Sequence, residues 1–270
     1  MATATAEASQ VVCYEKEWTG SQGRAIGWIT LNRPGVLNAY NVRMRDELHE
    51  VLRAVHDDPD IAVLVLRGAG RAFCAGADLS EFGTAPSPVI ARKVRFARDV
   101  WHMLDTVRCP VIASLHGYVI GSGLEMAMLC DLRIAADDTT MRLPDVRLGM
   151  IPAAMGCQTL PRTGGLGLAL DLILTARELS ARDAQAAGLL ADVVPRAQLG
   201  QATRRLAESL AATSSLAQWQ LKAVRRMTDG LSAAEARRVE RHVWELSGRK
   251  EDEGYAALSE VLARFDAQWS

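Results

Sequence analysis

The sequence has no stretch approaching the roughly 18 consecutive apolar residues that a membrane-spanning helix needs. It also has no charge excess: 31 Lys and Arg against 32 Asp and Glu leave a formal net charge of −1. Nucleic acid demands a concentrated basic face, and that balance denies it one. Cysteine is sparse and unpatterned. Cys13, Cys74, Cys109, Cys130 and Cys157 are odd in number and lack any CxxC spacing, so they read as reduced, mostly buried small hydrophobes of a reducing compartment. The opening residues MATATAEASQ lack the basic and apolar regions of a signal peptide and the arginines of a transit peptide. These absences point to a soluble, cytoplasmic protein with no membrane or nucleic-acid partner, disordered over residues 1–10.

Several catalytic templates are missing too. Gly121-Ser122-Gly123 follows Ile120, so it is not the GxSxG nucleophile elbow. Nothing fits GxGxxG after a strand or the phosphate-binding GxxxxGK[ST]. His49, His56, His102, His116 and His242 lie far apart and none forms HExxH, which removes the zinc hydrolases. His116 ends an apolar strand and reads first as a hydrogen-bonded structural residue.

What is present is an ordinary globular composition, 49% hydrophobic and 23% charged over 270 residues. That is enough to bury a core without metal or disulfide staples. VVCYEKEW at 11–18 and RAIGWITL at 24–31 read as a hairpin joined by TGSQG. Asn41 is a plausible helix cap before Met44, Leu48, Val51, Leu52 and Val55, which recur at helical spacing. The continuously apolar IAVLVLRG that follows marks a strand buried on both faces. A helix near 88–107, a strand VIASLHG at 111–117, a helix from about Ser122 and a strand RIAAD at 133–137 continue the alternation. That rhythm predicts right-handed crossovers and a largely parallel sheet in an α/β core over 11–196. Beyond 196 strand signals vanish, and amphipathic helices are expected near 197–212, 215–228, 232–247 and 253–267. With no Pro or Gly/Ser linker, this helical region, 197–270, packs on the core or on a neighbouring subunit.

Three loops at strand ends carry chemistry. Arg71-Ala-Phe-Cys-Ala-Gly-Ala-Asp78-Leu-Ser is lined by small residues that let backbone N–H groups approach an anionic oxygen. Gly117-Tyr-Val-Ile-Gly-Ser-Gly-Leu-Glu125 runs into a helix N-terminus, which also favours a developing oxyanion. Leu143-Pro-Asp145 places a carboxylate before an apolar loop ending at Gly156. Singly each is weak. A glycine turn before a helix is often only packing, Glu125 suits the dipole of its own helix, and a loop aspartate often bonds its own backbone.

Together they are specific. LNRPGVLNA, AFCAGADLSEF, CPVIASLHGYVIGSGLEMAMLCDLRIAA, LPDVRLGMIPAAMGCQTLPRTGG and LILTARELSARDAQAAGLLADVV resemble, in order and spacing, the signature blocks of the enoyl-CoA hydratase/isomerase (crotonase) family, from about residue 11 onward. The resemblance implies an α/β spiral core of repeated ββα units with a helical C-terminal trimerisation region, assembled as a homotrimer or hexamer. It implies acyl-CoA thioester substrates and no metal or organic cofactor. By motif position the backbone N–H groups of Ala77 and Ser122 form the oxyanion hole, and Ala75, Ala77, Asp78, Leu79, Ser80 and Gly121 contact substrate or CoA. Glu125 matches the carboxylate that binds and deprotonates water, and Asp145 the acid that protonates the α-carbon. Phe82, Val89 and Met155 are candidates for the acyl pocket. Two departures stand out: Ser122 where glycine is commonest, and Asp145 where hydratases usually carry Glu. The expected reaction is hydration of an enoyl-CoA. An enoyl-CoA isomerase, a hydroxyacyl-CoA dehydratase and a non-catalytic acyl-CoA binder remain the alternatives.

Overall fold

A computed structural model describes residues 10–20, 23–87, 89–90, 93, 97–247 and 251–267. Its first strands, β1 (Val12–Trp18) and β2 (Ala25–Leu31), pair antiparallel with Val12 opposite Leu31 and Trp18 opposite Ala25, the expected hairpin. Onto β2 are added, all in parallel, β3 (Ile61–Gly68), β4 (Val111–Leu115), β6 (Leu132–Ala136) and β9 (Asp192–Val194), giving the order β1-β2-β3-β4-β6-β9. The first six residues of β3 and all five of β4 are buried. Unbroken apolar runs rather than alternation are what a strand covered on both faces requires.

A second layer lies beyond the C-terminal ends of these strands. It contains β5 (Tyr118–Ile120), β7 (Thr140–Arg142) and β8 (Leu179–Ser180), with β5 and β7 parallel. Single parallel bridges, Cys74 with Val119 and Tyr40 with Ala77, extend it across the earlier loops. Each turn of the chain therefore repeats one path. A main-sheet strand leads to a short second-layer segment and then to a helix. The sequence β4, β5, α3 (Ser122–Leu129) is the clearest copy, and β6 and β7 lead on to α4 (Gly156–Gly164) and α5 (Leu166–Thr175).

Helix α1 (Val42–Asp57) starts as anticipated, with the Asn41 side chain accepting from the Met44 N–H at 2.9 Å. It buries Met44, Leu48, Leu52 and Val55 against the sheet, with Val51 half-buried. Truncating one such leucine to alanine costs about 2–5 kcal/mol. The helix expected over 88–107 is interrupted: residues 89–90 and 93 are helical, 97–98 bend, and α2 (Val100–Thr106) starts afresh with Asp99 as its cap. Residues 88, 91–92 and 94–96 lie outside the described residues, as do 1–9 of the expected disordered start.

After the short helix α6 (Ala181–Ala186), α7 (Leu199–Ala211) covers the other face of the main sheet, setting Leu199, Ala202, Ala207 and Ala211 against Ile26, Trp28, Val63, Val65 and Ile112. The last helices, α8 (Ser215–Thr228), α9 (Ala233–Leu246) and α10 (Glu251–Ala267), build their own cluster around Leu216, Trp219, Met227, Val243, Leu246 and Leu258. Lys222 ties that cluster to the core: its ammonium donates to the Asp131 carboxylate at 2.6 Å and to the Cys109 carbonyl at 2.9 Å. Among the described residues no helix is long and apolar enough to cross a membrane.

Candidate active site

The loop after β3 is held by contacts too close for side chains. A Cβ on Gly68 would run into the carbonyl oxygens of Ala72 and Phe73, one on Gly117 into that of Arg71, and one on Gly123 would stand 2.5 Å from that of Cys74. Hydrogen bonds complete the grip. Phe73 N–H donates to His116 O at 2.9 Å, Cys74 N–H to Tyr118 O at 3.1 Å and Ala75 N–H to Leu37 O at 2.9 Å. On the far side Tyr40 N–H donates to Gly76 O at 2.7 Å and Asp78 N–H to Tyr40 O at 2.8 Å. In a parallel pairing of this kind the middle residue turns its own N–H away from the partner. That residue is Ala77, whose N–H donates to no other described residue.

Gly76 (φ +96°) brings this loop against the next one, since a Cβ there would lie 2.9 Å from the Ile120 carbonyl. Gly121 (φ +51°, ψ −122°) then turns the chain into α3, its N–H donating to Arg142 O at 2.9 Å. The left-handed torsion falls on Gly121 and not on Ser122, which has helical backbone, so serine in place of glycine is unstrained there. As the first residue of α3, Ser122 has an N–H with no intrahelical acceptor, and it donates to no other described residue.

Glu125 sits in the first turn of α3 and is 1% exposed. Its Oε1 accepts from Ala154 N–H at 2.8 Å and from Gly156 N–H at 2.9 Å. Met155 between them adopts φ +76°, which turns both flanking N–H groups to one point, a backbone nest for an anionic oxygen. Asp145 begins a short 3-10 turn (Asp145–Leu148) after Pro144, and its Oδ2 lies 4.0 Å from where a Cβ on Gly121 would stand. The Cys157 thiol registers both carboxylates: burial pushes its pKa up, and Glu125 and then Asp145 push it further. Asp145 Oδ2 thus lies by the Gly121 turn where the two loops meet, and Glu125 one helical turn beyond it.

The remaining sequence candidates lie along the rim. Ala75, Ala77 and Asp78 are half-buried, while Leu79 and Ser80 are exposed. The Asp78 carboxyl is held below the usual range by the Ser80 hydroxyl at 2.6 Å and by the Arg33 guanidinium at 2.9 Å. Phe82, Val89 and Met155 are 44%, 73% and 43% exposed, so the expected acyl pocket is open on at least these sides in the single chain. His116 stands behind the first loop, its Nε2 3.2 Å from Gly70 O; burial, then Arg196, lowers its pKa. A cleft of about 510 Å³ at the opposite end of β3 is lined by Arg24, Asp58, Asp60, Arg108, Asp252 and Tyr255, and Asp58 and Asp60 pair with Lys16. Among the described residues no three His, Cys, Asp or Glu side chains cluster as a metal would need.

Asn38 and Arg33 stand in the block LNRPGVLNA, and Ala154, Gly156 and Cys157 in the block around Asp145, but the sequence alone assigns none of them a part in the site. Nothing in their types marks them, since their part is to contact residues distant along the chain.

Comparison with known proteins returns one family across the chain. The pattern that defines the enoyl-CoA hydratase/isomerase family matches residues 21–268. A probable enoyl-CoA hydratase of Mycobacterium bovis is 38% identical over 241 residues, covering 88% of this chain and 93% of its own. The 2,3-dehydroadipyl-CoA hydratase of Escherichia coli is 34% identical over 232 residues, 85% of this chain and 90% of its own. Among solved structures, an enoyl-CoA hydratase from Bacillus anthracis is similar with a TM-score of 0.82 at 30% identity, covering 93% of this chain and 96% of that one.

Proposed function

Because the chain belongs to the enoyl-CoA hydratase/isomerase family, we propose that it adds water across the conjugated double bond of an enoyl-CoA thioester. The observation that carries this reading is the pair of carboxylates, Asp145 at the Gly121 turn and Glu125 one helical turn beyond it, next to loops whose Ala77 and Ser122 N–H groups donate to no other described residue.

The thioester oxygen accepts from Ala77 N–H and Ser122 N–H, which draws electron density from the β-carbon and stabilises the enolate that forms. One donor of this kind is worth about 10²–10³ in rate. Oε1 of Glu125 is engaged by the 154–156 nest, so Oε2 takes a proton from water as the hydroxyl bonds to the β-carbon. The double-bond electrons move toward the carbonyl and return as Asp145, protonated, gives its proton to the α-carbon. Two carboxyls sharing a pocket repel each other's charge, which favours one of them carrying that proton. The proton on Glu125 passes back through solvent to Asp145, and the pair is reset.

Asp78, Leu79 and Ser80, with Ala75 and Gly121, lie along the CoA portion in this reading. No metal or organic cofactor enters, so turnover survives EDTA. Asp145 is one methylene shorter than glutamate, about 1.5 Å of reach, which favours an acyl group other than a simple straight chain. The working form is a homotrimer or hexamer. The deciding experiment offers a panel of enoyl-CoA and acyl-CoA thioesters and identifies products by mass spectrometry. A gain of one water by an enoyl-CoA supports hydration. A shifted double bond without water, or no turnover of any thioester, sinks it.

A further inference from the structure

Asn38 is wholly buried and carries φ +57°, next to Leu37 at φ +53°. Its amide nitrogen donates to three carbonyls of the loop after β3, those of Ala69 at 2.9 Å, Ala72 at 2.8 Å and Phe73 at 3.2 Å. The amide has only two hydrogens, so at least one is shared between acceptors. Its oxygen accepts from Arg33 N–H at 2.8 Å, closing the Asn38 turn on itself. We propose that Asn38 is a positioning residue for the reaction: its amide fixes the loop from which Ala77 N–H faces the substrate carbonyl. This rests on the reading of Ala77 as an oxyanion donor.

Beside the bonds the loop makes to His116 and Tyr118, Asn38 acts on the placement of Ala77 from two directions. The carbonyls it holds lie four to eight residues before Ala77 on the same loop. The backbone groups that flank Ala77, Leu37 O and the N–H and O of Tyr40, belong to the segment that Asn38 itself shapes. Remove the amide and two buried carbonyls and one half-buried carbonyl lose their donor at once, while the segment beside Ala77 loses its anchor. The left-handed torsion suits asparagine among residues with a side chain, and only asparagine brings two amide hydrogens at this reach. Aspartate is nearly the same shape, yet it would set a carboxylate against three carbonyl oxygens. Glycine keeps the torsion and removes the donors.

The test compares Asn38→Gly, Asn38→Ser and Asn38→Asp with the wild type in the full-length protein. Kinetics on an enoyl-CoA are measured beside the infrared C=O stretch of bound butyryl-CoA carrying ¹³C at the carbonyl. A merely structural residue would lower Tm and leave that stretch where it is. For Asn38→Gly the expected result is kcat lower by about 10²-fold, the loss of one oxyanion donor, with KM within about threefold. At least half of the wild-type downshift of the bound carbonyl stretch should also vanish. Asn38→Ser, which keeps one donor, should fall between. Wild-type kcat in Asn38→Gly, or an unmoved carbonyl band in a folded but less stable variant, overturns the proposal. So does failure of all three variants to fold, since the amide would then serve the fold as a whole. If the wild type polarises the bound carbonyl but hydrates no enoyl-CoA, the hydration reading falls while the carbonyl band still decides the role of Asn38.

Discussion

Gly156 both holds Glu125 and makes room for it. Its N–H lies 2.9 Å from Oε1, and a Cβ there would stand 2.9 Å from that oxygen and 3.0 Å from Cγ. Gly156→Ala should therefore push the carboxylate aside without touching the CoA rim. A misplacement of about 1 Å can cost a hundredfold, so kcat should fall by about that factor with KM nearly unchanged. Steady-state kinetics on any turned-over thioester measure this, and unchanged kcat would show that the nest does not place the base.

The carboxylates themselves should behave as a unit. Glu125→Gln and Asp145→Asn should each lower kcat by about 10²–10⁴-fold, the usual worth of a general acid or base. The double variant should be little worse than either, because partners in one step are non-additive. Asp145→Glu separates two readings of the short side chain. It should preserve or raise hydration of a small enoyl-CoA if aspartate merely under-reaches, and abolish turnover of a bulky substrate if aspartate makes space. Near-wild-type rates for Asp145→Asn would leave Glu125 as sole base and favour isomerisation.

Cys157 offers a readout that needs no substrate. Its thiol is pushed up by burial, then by Glu125 and Asp145, so less thiolate exists at a given pH and alkylation is slow. Glu125→Gln removes one of those charges and should speed iodoacetamide labelling of Cys157 at pH 8, followed by peptide mass mapping. An unchanged rate in both Glu125→Gln and Asp145→Asn would mean the carboxylates do not face the thiol.

Alkaline stability should report the buried thiols. Burial pushes Cys74 to about 11 and Cys109 and Cys130 to about 12, whereas an unfolded cysteine titrates near about 8.5. Between these values the unfolded chain has lost protons that the folded one keeps, so stability falls as pH rises. The slope is up to about 1.4 kcal/mol per pH unit for each thiol. Urea unfolding at pH 8, 9 and 10 should show the decline. A variant with all three changed to alanine should start less stable and decline less steeply, and an equal slope would contradict the assignment.

Assembly should follow from apolar surface left on the single chain. Leu166, Leu170 and Leu174 recur every fourth residue along α5 at 64%, 45% and 65% exposure, forming one stripe on the helix. Leu221 and Trp244, on α8 and α9, are 71% and 72% exposed. Light scattering should return a trimer or hexamer at micromolar concentration, and Leu170→Glu should shift it toward smaller species. A stable wild-type monomer would refute the expectation.

How much could be read beforehand depended on length. The 16 residues of α1 and the eight of β3 are long enough to display their periods, and the four late helices fall within a few residues of their expected ranges. β5 and β7, at three residues each, and β8, at two, are too short to show any, so the second layer was invisible. The site divided in the same way. Ala77, Ser122, Glu125 and Asp145 stand in recognisable local patterns. Apart from the local bond Asn38 accepts from Arg33 N–H, Asn38 and Gly156 act through partners about 30 residues away, as |i−j| of 31, 34 and 35 for the Asn38 amide bonds and 31 for Gly156 record. No local pattern encodes a contact of that range.

The clamp made by Lys222 lies at the beginnings of β4 and β6, where Asp131 also accepts from Val111 N–H at 2.8 Å. Every loop of the site departs from the opposite ends of the main strands. The sheet thus keeps tethering and chemistry one strand-length apart. Inserting into or recasting the loops after β3, β5 and β7 leaves the clamp intact, so this frame can be refitted to new acyl groups without being rebuilt.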